Sequence, residues 1–236
     1  MEIMLNHFTY NGTSTADLGL IVNGINIYGS ASRVVEKVQV PYRNGDLLID
    51  TGAYNNIMLS YTVSIVDNTK ATAEAISAWL LAPKGYNRLT DTYNNDCYRM
   101  ATYYNQLDFT LTMLHRYGQA TISFDCKPQK FLLSGEIEVS QASGSTITNP
   151  SVMASKPLIR VSGTGTLTIG DYSINILTNT GNMYIDCESM QVYRGTTNLG
   201  NDVEITDFPV LVSGSNTITY GASITSVNIT PRWWRI

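Results

Sequence analysis

Ser32-Arg33-Val34-Val35-Glu36-Lys37-Val38-Gln39-Val40-Pro41-Tyr42-Arg43-Asn44-Gly45-Asp46-Leu47-Leu48-Ile49 is the stretch on which the reading of this chain turns. Val34, Glu36, Val38 and Val40 alternate with Val35, Lys37 and Gln39, and a period of two puts successive side chains on opposite faces of a strand. Asn44-Gly45 accepts the positive φ values of a two-residue turn, and Leu47-Leu48-Ile49 resumes beyond it, so the segment predicts a β-hairpin. Residues 54–66 continue as one long strand, with Ile57, Leu59, Tyr61, Val63 and Ile65 on one face and Ser60, Thr62 and Ser64 on the other. Upstream, Asn11-Gly12 and Asn23-Gly24 each separate runs that can pair in the same way.

Downstream, residues 69–82 predict the one helix. Asp67, Asn68 or Thr69 is placed to cap it, Ala71, Ala73, Ala75 and Ala78 favour the helical backbone, and Ile76, Trp79 and Leu80 share a face. Pro83 and Gly85 stop it. Strands are then expected at about 86–91, 98–104, 107–114 and 119–126, so a single helix lies across an otherwise antiparallel sheet system. After Phe131-Leu132-Leu133 the composition shifts: residues 134–156 are rich in Ser, Thr and Gly, which predicts a domain junction near Ser134 holding one short strand. Short alternating segments follow at 158–161, 165–169, 172–176, 183–187, 190–193, 210–212, 216–220 and 224–230. With turns such as Gly170-Asp171 and Ser213-Gly214 between them, they predict a β-sandwich of about 100 residues. Gly163-Thr164-Gly165 reads as a hairpin turn joining two strands. The fold class is thus mainly β, with domains at 1–134 and 135–236.

Composition agrees with this. Of 236 residues, 43% are hydrophobic and only 14% charged, where a typical domain has about 25% charged. Neutral polar residues fill the gap: 27 Thr, 20 Ser and 20 Asn, beside 15 Tyr and 18 Gly, suit strands and tight turns better than helix surfaces. The net charge of −4 is evenly spread, with 10 basic and 12 acidic residues in 1–136 and 5 and 7 in 137–236. Neither half has the basic excess that phosphate binding requires, so a nucleic-acid partner is not expected. The first residues show no basic segment followed by an apolar run, and no window approaches the length of a membrane span, so neither a secretory signal nor a membrane partner is expected. Cys97, Cys126 and Cys187 are odd in number and widely spaced, the pattern of reduced thiols rather than of a zinc site or a redox pair.

No catalytic constellation is visible. His7 and His115 lie in no recognisable motif, and no Gly-x-Ser-x-Gly elbow exists. Asp46 with Asp50, and Asp186 with Glu188, are candidate neighbouring carboxylates, and both read as solvated acids on strands and turns rather than as a glycosidase pair. Catalytic, cofactor-binding and metal-ligating residues are therefore assigned to none of the side chains. Tyr193 and Trp234 are the candidate exposed aromatic contacts, because such rings stack on sugars and fill protein interfaces.

Ordered strings carry more information than periodicity. Arg43-Asn44-Gly45-Asp46-Leu47-Leu48-Ile49-Asp50-Thr51-Gly52 with Tyr54-Asn55-Asn56 resembles the hairpin of the distal tail proteins of long-tailed, non-contractile bacteriophages. Ala78-Trp79-Leu80-Leu81, Gly85-Tyr86-Asn87-Arg88-Leu89 and Asp91-Thr92-Tyr93 resemble that family's helix and following strand. Phe124-Asp125-Cys126-Lys127-Pro128-Gln129-Lys130-Phe131 is similar to its exit from the first domain. Asn149-Pro150, Lys156-Pro157-Leu158-Ile159, Tyr184-Ile185-Asp186-Cys187-Glu188, Phe208-Pro209 and Pro231-Arg232-Trp233-Trp234 follow in the family's order.

The resemblance implies a β-barrel-like sheet domain with one α-helix, followed by a galectin-like β-sandwich. It also implies a structural virion protein without enzymatic activity or cofactor: a homohexameric ring at the distal end of the tail, assembled in the host bacterial cytoplasm. Its expected partners are itself, the tail-tube protein and the tail-tip or receptor-binding proteins. Arg43, Asn44, Gly45, Asp46, Leu47 and Leu48 are the candidate inter-subunit contacts. The alternative is a carbohydrate-binding module that stacks Tyr193 or Trp234 on host cell-wall saccharide.

Overall fold

The computed structural model describes residues 6–25, 29–66, 69–112 and 117–236. The proposed cap residues Asp67 and Asn68, and His115, lie outside them. The chain divides into two compact units, Met1–Lys130 with Ile236, and Phe131–Arg235.

The first unit contains β1 (Phe8–Tyr10), β2 (Thr13–Ser14), β3 (Leu20–Ile25), β4 (Arg33–Val38), β5 (Leu47–Tyr54), β6 (Ile57–Val66), α1 (Thr69–Leu81), β7 (Asn87–Asp91), β8 (Cys97–Thr102), β9 (Thr110–Thr112) and most of β10 (Tyr117–Leu132). Its main sheet runs in the order β2-β1-β7-β8-β10-β6-β3, with β9 added to β10, while among the described residues β4 and β5 pair only with each other. The alternation in β6 is realised as read: Leu59, Tyr61, Val63 and Ile65 enter the core, and register with β10 places Ala120, Ile122, Phe124 and Cys126 beside them. Ile76 and Leu80 of α1 are fully buried in the same core, each burial stabilising by roughly 2–3 kcal/mol. Trp79 adds its ring against Phe8 and Tyr10 and donates its indole N–H to the Tyr10 carbonyl at 3.2 Å.

The three Asn-Gly pairs have three outcomes. Asn11 (φ 49°) and Gly12 (φ 83°) make the two-residue turn between β1 and β2, with Tyr10 opposite Thr13. Asn23-Gly24 lies inside β3, where the register against β6 shifts between Val22 and Gly24; the pair makes a bulge, because the strand continues on both sides. Asn44-Gly45 sits in a loop spanning 39–46, since pairing stops at Val38 opposite Leu47. Pro41 has no N–H for the ladder, and Tyr42 takes φ 62°, which together end the strand before the dipeptide.

The second unit is a two-sheet sandwich. Its strands are β11 (Val139–Gln141), β12 (Ser145–Asn149), β13 (Leu158–Gly163), β14 (Gly165–Ile169), β15 (Tyr172–Ile176), β16 (Asn182–Asp186), β17 (Gln191–Arg194), β18 (Thr197–Asn198), β19 (Val203–Ile205), β20 (Gly214–Tyr220), β21 (Ile224–Thr230) and β22 (Trp234–Arg235). One sheet has the order β11-β21-β13-β16-β17-β18 and the other β12-β20-β14-β15-β19. Ile159, Val161, Met183, Ile185, Val227 and Ile229 from the first bury against Leu167, Ile169, Ile174, Ile176 and Ile218 from the second.

Three readings of this half are corrected. Residues 134–156 supply two strands rather than one, and each pairs in a different sheet; their Ser and Thr suit outward positions, so apolar content concealed them. The expected strand at 210–212 is reduced to one bridge between Ser155 and Leu211. Gly163-Thr164-Gly165 is a crossover between sheets rather than a hairpin turn. Gly163 takes φ +98°, and a Cβ there would overlap the Ser223 carbonyl oxygen, so the crossing excludes any side chain.

Candidate functional site

Arg43, Asn44, Gly45 and Asp46 occupy the distal loop of the β4–β5 ribbon, and Leu47 and Leu48 begin its return strand; all six are exposed. The structure thus brings these residues together at one end of the β4–β5 ribbon. Along β5 only Tyr54 is less than exposed, and Leu47, Leu48 and Ile49 leave 40%, 60% and 45% of their surface open. Isolated two-stranded hairpins are marginal in water, so this ribbon depends on what holds it from within or covers it from without.

Internal support concentrates near its base. The register shifts between Arg33 and Val35 where Gly52 takes φ +73°. Asp50 accepts from the Gly52 amide at 2.8 Å and pairs with Arg33 at 2.8 Å, and these two donors hold its carboxyl below the usual range. Thr51 donates its hydroxyl to the Val34 carbonyl at 3.1 Å. Below that, the Asn55 amide donates to the Ser32 carbonyl at 2.9 Å. Stabilisation therefore comes from backbone and polar contacts, while the apolar side chains toward the tip remain uncovered.

Elsewhere the titratable groups have structural duties. Asp186 and Glu188 both accept from Arg232, at 2.6 and 3.5 Å, instead of facing each other across a cleft. Burial opposes ionisation of Asp186, yet Arg232 and the amides of Glu188 and Ser189 outweigh it, and the carboxyl sits below its ordinary value. Burial pushes the Cys126 and Cys187 thiols up to about 12, far from thiolate chemistry at neutral pH. His7 donates its backbone N–H to Thr92 at 3.2 Å at the start of β1. Among the described residues no three His, Cys, Asp or Glu side chains gather as a metal site, and no helix is long and apolar enough to cross a membrane.

The two aromatic candidates are half-buried rather than exposed. Tyr193 stacks on its cross-strand partner Tyr184, with centroids 5.6 Å apart and planes at 14°. Trp234 donates its indole N–H to the Ala154 carbonyl at 2.9 Å, while Trp233 fills the sandwich core. Both rings are engaged within their own unit. A feature the sequence reading missed lies at the foot of the ribbon: Asn56, Tyr86, Tyr104 and Asp125 are joined by hydrogen bonds although they come from four separate segments. The only signal for it was Asn56 following the hairpin directly.

No protein-family model matches the chain, and no curated protein matches it in sequence. Among solved structures, the Dit (gp 19.1) protein of phage SPP1, described as a paradigm of the hub adsorption apparatus in phages infecting Gram-positive bacteria, aligns over 98% of this chain and 100% of its own, with TM-score 0.73 and 14% identity. Chains of the activated phage P2 baseplate, with Ca and with Sr, align at TM-scores of 0.49 and 0.48, with 10% and 9% identity over 96% and 98% of this chain and 98% of theirs. Across both units, this chain has the fold of the SPP1 Dit protein.

Proposed function

We propose that the chain is a distal tail protein, a structural hub of which six copies close a ring at the end of a long non-contractile phage tail. The ring joins the tail tube on one side to the tail-tip or receptor-binding proteins on the other, in the virion, after assembly in the host cytoplasm. The first unit forms the ring and the galectin-like second unit accompanies it. The observation that carries this reading is a fold shared over 98% of the chain with a protein described as part of a phage hub.

The exposed ribbon supports it. Edge strands and apolar ribbons are liabilities in a monomer, whereas in a ring each copy offers one surface to a neighbour and receives another, so they are covered. The low charge content fits as well, because interface cores are depleted in charge. Size-exclusion chromatography with light scattering tests the proposal. A single species several times the 26.0 kDa chain mass is expected; a monomer at every concentration overturns it.

A further inference from the structure

We propose that Asn44-Gly45, in the loop of the β4–β5 ribbon, is a self-modification site: in the folded chain Asn44 converts to aspartate and isoaspartate, while Asn11-Gly12 and Asn23-Gly24 are preserved. The reaction needs no partner chain, so it stands apart from the hub reading.

The chemistry belongs to the dipeptide. The Gly backbone nitrogen gives its proton to hydroxide and attacks the Asn side-chain carbonyl carbon. A C–N bond forms there, the bond to the side-chain nitrogen breaks, and that nitrogen takes a proton from water and leaves as ammonia. Water then opens the five-membered succinimide. Addition at the side-chain carbonyl gives aspartate, and addition at the backbone carbonyl gives isoaspartate. Water is the sole co-reactant, and nothing is oxidised or reduced. Glycine favours the attack because no Cβ shields its nitrogen. The fold decides the rest: the side-chain amide and the Gly N–H must be unheld, and the Asn backbone must be able to turn that nitrogen toward its own Cβ.

Asn44 meets these conditions. Asn44 and Gly45 are exposed, and among the described residues neither makes a hydrogen bond. A Cβ built on Gly45 would meet nothing within 4 Å. Ladder pairing stops at Val38 opposite Leu47, and the Arg43 amide, donating to the Val40 carbonyl at 3.2 Å, ties the loop only before the dipeptide. The other two pairs fail. Asn11 is held in a left-handed backbone at φ 49°, which sets the Gly12 nitrogen nearly opposite the Asn11 Cβ. Its N–H donates to the Arg88 carbonyl at 3.0 Å, and Tyr10 paired with Thr13 closes the turn. Asn23 lies within β3, between Val22 opposite Val63 and Gly24 opposite Thr62, and its side-chain amide donates to the Ser64 hydroxyl. Either pair must open locally before it can react. The product adds a negative charge between Arg43 and Asp46, and isoaspartate lengthens the backbone by a methylene, so the ribbon loop ages into distinct chemical forms.

Peptide mapping by mass spectrometry tests the site on the full chain incubated at mildly alkaline pH. The peptide holding Asn44 is expected to gain the mass difference between an amide and an acid, and to split into aspartate and isoaspartate forms, about tenfold or more faster than the peptides holding Asn11 and Asn23. Its rate is expected to rise with pH, because the deprotonated nitrogen is the attacking group. The same chain unfolded in urea is the reference: there the rates at the three pairs are expected to converge. The chain carrying Asn44→Asp supplies the charge standard for the new acidic species. Equal rates at the three pairs in the folded chain, or an Asn44 that stays intact while the unfolded chain reacts, overturns the proposal.

Discussion

At Gly163 the chain leaves one sheet for the other with φ +98°, its α-hydrogen facing the Ser223 carbonyl. Gly163→Ala is therefore expected to destabilise the second unit by about 3 kcal/mol, combining backbone strain with a clash that only the backbone can relieve. A lower urea midpoint at unchanged slope would register it. Asp186 gives a pH-dependent counterpart. Its carboxyl is depressed in the folded state, so its stabilisation is complete above the ordinary carboxylate value of about 3.9 and is lost as pH falls through the lower folded value. Asp186→Asn is expected to be less stable than the parent at pH 7 and to show a shallower loss between pH 5 and 2. The buried thiols of Cys126 and Cys187, pushed up to about 12, should resist a thiol reagent at pH 8 until the chain unfolds.

Among the elements, those with clean two-residue alternation were legible in full. In β6, β14 and β15 the buried apolar positions alternate and the register preserves them. The helix was equally plain, since Ile76, Trp79 and Leu80 share a face and Pro83 terminates it; Ile76→Ala is expected to cost about 3 kcal/mol. The Asn-Gly pairs show where legibility ended. The dipeptide states that positive φ is tolerated, but whether the flanking strands pair across it, continue through it or stop short depends on neighbours such as Pro41. Short edge strands such as β18, which has no apolar residue, and β19, which is only three residues long, are too brief to announce themselves. The ribbon was visible as a pair of strands, but its isolation from the main sheet was not, because local alternation says nothing about which surface will cover it. Leu48→Ser is expected to change the stability of the isolated chain by no more than about 0.5 kcal/mol, as a surface site, while weakening assembly.

On the scale of the molecule, two units each bury a core of their own, while the β4–β5 ribbon leaves Leu47, Leu48 and Ile49 exposed. A chain with 14% charged residues and a neutral Ser, Thr and Asn surface has little electrostatic reason to remain apart from its copies. In a closed ring one substitution acts at every interface, and 1.4 kcal/mol at each is about tenfold in the affinity of that contact. The proposed ring is accordingly defined by its stoichiometry. Light scattering across a dilution series measures this directly: the proposed ring requires a species of six times the 26.0 kDa chain mass that persists on dilution, and a constant mass of one chain from the highest concentration to the lowest would contradict it.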